Sequence, residues 1–226
     1  MNPMNISSTQ AQGSELATNK VLRNTYALLS MTLIFAGFMA FVGTISGIGH
    51  GIALISSIVA LVMLWFVLPR TANSAAGIPV IFAITGLLGF GLGPVLNHYL
   101  AVNSEIVMTA LGGTGVIFLG LSGYVLTTKK DFSFMGGFLM VGLIVVLVAS
   151  LTAFVLPMFG IQIPGFNLAI SGAIVLLMSG LILWETSNII HGGETNYIMA
   201  TAGLFLSILN LFQALLHLLG AFGSDD

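Results

Sequence analysis

Residues 179–220 read SGLILWETSNIIHGGETNYIMATAGLFLSILNLFQALLHLLG, and this stretch decides the fold. A short polar loop, HGGETNY, separates two runs that are apolar for far longer than a soluble core helix requires. Crossing the hydrocarbon of a bilayer takes roughly 20 mostly apolar residues as helix. Helix is the form they must take, because lipid offers no partner for a free backbone N–H or C=O. The two runs therefore predict spans at about 166–190 and 198–221.

Working outward, the same test finds five more runs, at about 26–47, 51–68, 77–96, 106–127 and 134–156, each bounded by a Gly, Pro, Asn or charged break. Pro94, in GFGLGPVLN, is expected to end or bend the third. The expected fold is all-α and integral to the membrane, with seven transmembrane helices. Residues 1–25 form a polar amino-terminal tail, 26–221 the membrane domain and 222–226 a short tail. Residues 1–25 lack the apolar core of a cleavable signal peptide.

Composition agrees. Of 226 residues, 57% are hydrophobic and only 5% charged, against about a quarter charged in soluble domains. Five Lys or Arg and a net charge of −2 cannot neutralise a row of phosphates, so nucleic-acid binding is excluded. With no cysteine there is no disulfide or thiolate chemistry. No GxxxxGK[ST] loop is present to cradle a nucleotide.

Basic residues are retained on the cytoplasmic side. Lys20 and Arg23 precede span one, Arg70 follows span two, and Lys129 and Lys130 follow span four, so seven spans place all five on one side. The amino terminus is then cytoplasmic and Asp225 and Asp226 external. Trp65 and Trp184 fall near the cytoplasmic ends of spans two and six, as an interfacial aromatic belt expects. Among 28 glycines, Gly43/Gly47 and Gly89/Gly93 have the small-xxx-small spacing that lets helices approach closely.

One acid interrupts an apolar span. Glu185 lies about one to two turns before the cytoplasmic end of span six, where the helix dipole and partial burial both disfavour a charged carboxylate. It is a candidate protonation switch, or a carboxylate reaching to interfacial water beside Trp184. On span seven, Ser207, Asn210 and Gln213 recur every three residues and line one stripe. Interhelical hydrogen bonding is the plainer use of that stripe, and a polar path the sharper one. In the intervening loop, His191 and Glu194 are a weak candidate cation pair set against a capped turn. Lys129, Lys130 and Asp131 read as topology charges before they read as a docking patch.

Gly120-Leu121-Ser122-Gly123 and His217-Leu218-Leu219-Gly220 are similar to the GxSG and HxxG elements of rhomboid proteases. A serine and its base must come within about 3 Å. Here Ser122 falls near the cytoplasmic end of span four and His217 near the external end of span seven, roughly 20 Å apart at 1.5 Å per residue. No catalytic dyad is expected.

Three stretches, GPVLNHYL (93–100), ALGGTGVIFLGLSGYVLTTKKDFSFMGGFL (110–139) and residues 179–220, resemble the transmembrane Bax inhibitor motif family. The similarity is strongest to its bacterial branch, the YccA-like modulators of the membrane-anchored AAA protease FtsH. The resemblance implies six helices around a central carboxy-terminal one, with the Ser207, Asn210, Gln213 stripe inside. It implies a partner, the FtsH complex in a bacterial inner membrane, whose action on membrane substrates is restrained. No enzymatic activity and no cofactor are expected. Other members of the family act as pH-sensitive calcium leaks through a pair of intramembrane aspartates, so calcium or the proton is the candidate ion. Glu185 matches the first of these acids, but Ser207 stands where the second would be, and one carboxylate with a serine cannot share a proton as two carboxylates do. That departure favours the protease-modulator reading over the leak.

Overall fold

The computed structural model describes residues 3–223, with side chains from Leu16 onward. Seven helices are long and apolar enough to cross a membrane. They are α1 (Pro3–Ile45), α2 (His50–Thr71), α3 (Gly77–Val102), α4 (Ser104–Thr128), α5 (Ser133–Phe159), α6 (Phe166–Ile190) and α7 (Tyr197–Phe222). Among the described residues there is no strand.

The sequence explains the irregularities. In α2, Pro69 supplies no N–H and its ring crowds the preceding turn. The helix widens there into a π turn over Met63–Val67, and the Arg70 guanidinium donates to the carbonyl of Phe66. The third span breaks at Leu92 into two segments, Gly77–Gly91 and Gly93–Val102, with Pro94 in the first turn of the second. Asn103 and Asn196 cap α4 and α7: the Oδ1 of Asn103 accepts from the Glu105 amide at 2.9 Å. The Oδ1 of Asn196 accepts from Ile198 and Met199 at 2.9 and 3.1 Å.

One boundary differs from the sequence expectation. The first helix begins at Pro3, so most of the segment read as a tail is helical. Tertiary contact accounts for the part nearest the bundle: Val21 and Leu22 pack on the core and Thr25 is completely buried. Asp225 and Asp226 lie outside the described residues.

The last helix, α7, is the most deeply buried of the seven. It packs along α6 and against α1, α3 and α4, while α2 rests mainly on α3 and α5 mainly on α6. A layer of Leu, Ile, Val and Phe faces outward, including Ile34, Phe138, Ile144 and Leu176. In water such a surface would drive aggregation. In a bilayer it is the solvent-facing side. The contact of α1 with α3 depends on glycine: a Cβ on Gly89 would run into the Ala36 carbonyl, and one on Gly43 into that of Phe90. Gly93 sits directly against Gly43. Gly47 serves a different purpose, with φ +59° in the turn after α1 and open space around it.

Candidate functional site at one end of the bundle

Glu185 lies on the face of α6 that meets the central helix. The Ser207 hydroxyl donates to its Oε2 at 2.9 Å. One turn earlier on α7, Gly203 leaves the room the carboxylate occupies: a Cβ there would lie 2.7 Å from Oε1. The acid thus rests in a notch made by a glycine and a serine four residues apart. Ser207 is itself buried and Glu185 partly so.

Hydroxyl groups gather around the next residue of α6. The Thr186 Oγ1 lies 3.2 Å from Ser122 Oγ of α4 and 3.4 Å from the Tyr26 hydroxyl of α1. The Thr201 hydroxyl of α7 donates to the Tyr197 carbonyl at 2.7 Å and approaches the Thr25 carbonyl at 3.3 Å. The Thr25 hydroxyl is buried without a protein partner. Four helices therefore converge on one polar layer beside Glu185. It lies at the end of the bundle that carries Lys20, Arg23, Arg70, Lys129 and Lys130.

The loops at this end are tied down by hydrogen bonds, some within a single turn and some between segments far apart in the sequence. Ser187 Oγ accepts from the Phe132 amide at 2.9 Å, and the imidazole Nδ1 of His191 lies 2.8 Å from the Ser187 carbonyl. Asp131 accepts from the Ser133 amide at 2.8 Å, a bond that holds its carboxyl below the ordinary carboxylate range. The Glu194 Oε1 accepts from the Asn196 amide at 2.7 Å. The Asn196 amide group also donates to the Ala72 carbonyl and to Asn73 Oδ1, at 3.1 and 2.8 Å. His191 and Glu194 are thus each engaged in turn geometry. Among the described residues no group of three or more His, Asp or Glu could hold a metal ion.

The stripe on α7 divides. Ser207 faces Glu185, whereas Asn210 is exposed and its amide donates to the Leu206 carbonyl of its own helix at 2.9 Å. Gln213 and Asn210 line a separate cavity of about 370 Å³ with Asn167 and His217. Ser122 and His217 do not meet: the Ser122 hydroxyl pairs with Thr186, and His217 Nδ1 lies 3.3 Å from the Tyr99 hydroxyl. Sequence reasoning missed Gly203, Tyr26, Thr25, Thr201 and Asn196. Asn196 carried a readable signal, an Asn immediately before an apolar run.

Fold and site define a multi-pass helical membrane protein whose central helix receives a single acid from its neighbour. The family model described as "Inhibitor of apoptosis-promoting Bax1" matches residues 18–224, and the chain belongs to that family. It is 48% identical over 222 residues, 98% of both chains, to the Modulator of FtsH protease YccA of Escherichia coli K12. The same values hold for the Inner membrane protein YccA of Escherichia coli O6:H1. A membrane protein of Vibrio cholerae is 46% identical over 228 residues, 100% of both chains. These family and relative names describe modulators, inhibitors or membrane proteins, not enzymes.

Proposed function

We propose that this protein sits in the bacterial inner membrane with its amino terminus cytoplasmic and its carboxy terminus external. There it binds the membrane-anchored AAA protease FtsH and restrains degradation of membrane proteins. The observation that carries the reading is the end-to-end 48% identity with a protein named as a modulator of that protease. The architecture supports it: short loops leave a partner mainly helix faces to bind, and the helical amino-terminal segment adjoins the end that bears the basic residues. Affinity capture with crosslinking in native membranes is expected to recover FtsH, and overproduction to slow turnover of a membrane substrate. No association and unchanged turnover would remove the reading.

A second reading, a pH-sensitive conductance for calcium or protons, draws on the Glu185–Ser207 hydrogen bond between two packed helices. A conductance gated by Glu185 alone requires that Glu185→Gln abolish pH-dependent flux in proteoliposomes. The substitution keeps an oxygen that accepts from Ser207, so lost flux would report lost titration and not a collapsed contact. Flux no greater than that of empty vesicles for the unmodified protein would end this reading.

A further inference from the structure

Between α1 and α4 the bundle is not closed. Their rings touch at Tyr26 and Phe118, with centroids 6.1 Å apart. Beyond that contact a cavity of about 340 Å³ runs inward to the central helix. Its walls include Gly37 and Ala40 of α1 and Leu111 and Gly115 of α4, and it reaches Phe205 and Phe212 of α7. Around Gly37 and Gly115 there is open space where a Cβ would stand. The neighbouring Ile34, Phe38, Val116 and Leu119 are 75%, 58%, 73% and 69% exposed, so the cavity adjoins the apolar outer face.

Three occupants can be weighed on physical grounds. Water needs two to four polar partners. The one polar side chain on the wall, Thr114, gives its hydroxyl to the Ala110 carbonyl at 2.7 Å. A transmembrane helix about 10–12 Å across is too thick for a space of this volume. A void would leave the Phe and Leu side chains without dispersion partners, while hydrocarbon lies at the opening. A dry apolar cavity of about 150 Å³ accepts benzene, so this one takes a chain of about a dozen carbons.

We propose that the crevice between α1 and α4 is a binding site for one acyl chain of a bilayer phospholipid, lying against Phe205 and Phe212 of the central helix. The chain would touch the stretch of α7 that carries Ser207, two residues beyond Phe205.

The test uses the full chain in vesicles of phosphatidylethanolamine and phosphatidylglycerol, with a trace phospholipid bearing a photoactivatable diazirine along one acyl chain. Ordinary boundary lipid is expected to label the outward face of α5, around Phe138, Ile144 and Leu151. An acyl chain in the crevice adds label on α7 between Phe205 and Phe212. Gly115→Leu fills the space and is expected to reduce the α7 label several-fold while leaving the α5 label unchanged. If Gly115→Leu alters the α5 pattern, Gly37→Leu on the opposite wall is read in its place. Label confined to α5 in the unmodified protein, or α7 label undiminished by both filling substitutions, would overturn the proposal. So would capture of a second polypeptide at Phe205–Phe212 in place of lipid. None of these outcomes depends on whether the chain associates with FtsH.

Discussion

At Glu185 the energetics turn on one donor and one absence. The Ser207 hydroxyl satisfies one carboxylate oxygen, and the missing side chain of Gly203 makes room for the other. Hydrogen bonds between membrane helices are worth about 0.6 kcal/mol on average and up to about 1.7. A partner left unsatisfied costs about 1–3 kcal/mol. Ser207→Ala is therefore expected to lower stability by about 1 kcal/mol, measured by unfolding in detergent micelles. Gly203→Val removes neither partner but drives a methyl group toward Oε1, so it is expected to weaken the same contact. In double-mutant cycles, Ser207→Ala should cost much less in the Gly203→Val background than alone. Full additivity would show that the carboxylate does not depend on this notch.

At the scale of elements, legibility followed the physical origin of each feature. Seven helices were readable because the bilayer imposes a length and a composition on any segment that crosses it, and all seven runs appear as helices. The break near Pro94 was readable because proline removes a donor whatever surrounds it. The packing of α1 ahead of residue 26 was not, because the burial of Val21, Leu22 and Thr25 depends on where the other helices lie, and no local pattern encodes that. The stripe on α7 shows the limit most clearly. A spacing of three placed Ser207, Asn210 and Gln213 on one side of a helix, but it could not say which neighbour would cover each turn. The structure covers Ser207 with α6, leaves Asn210 exposed and sets Gln213 in another cavity. Similarly, Gly43, Gly89 and Gly93 became close contacts between α1 and α3, while Gly47 became a turn.

For the molecule as a whole, the decisive asymmetry lies between its two ends. Hydrogen bonds from α1 to α6, from α4 to α6 and from the α2–α3 loop to Asn196 bring the polar layer, the capped loops and all five basic residues to one end. In the orientation proposed above, with Lys and Arg retained in the cytoplasm, that is the inner end. On that proposal the Glu185 notch lies nearer the side of the bilayer on which a AAA protease hydrolyses its nucleotide. A fluorescent protein that matures only in the cytoplasm, inserted between Lys130 and Asp131, is expected to glow, and alkaline phosphatase fused after Asp226 to be active. With four spans before the 130/131 loop and three after it, the amino terminus and that loop share a side, and the carboxy terminus takes the other. Phosphatase activity at 130/131 would place the acid at the external end, and a cytoplasmic partner for that end would have to be abandoned. A fluorescent reporter that matured at both positions would mean that α5, α6 and α7 do not cross the bilayer three times, and the central place of α7 would fall with it.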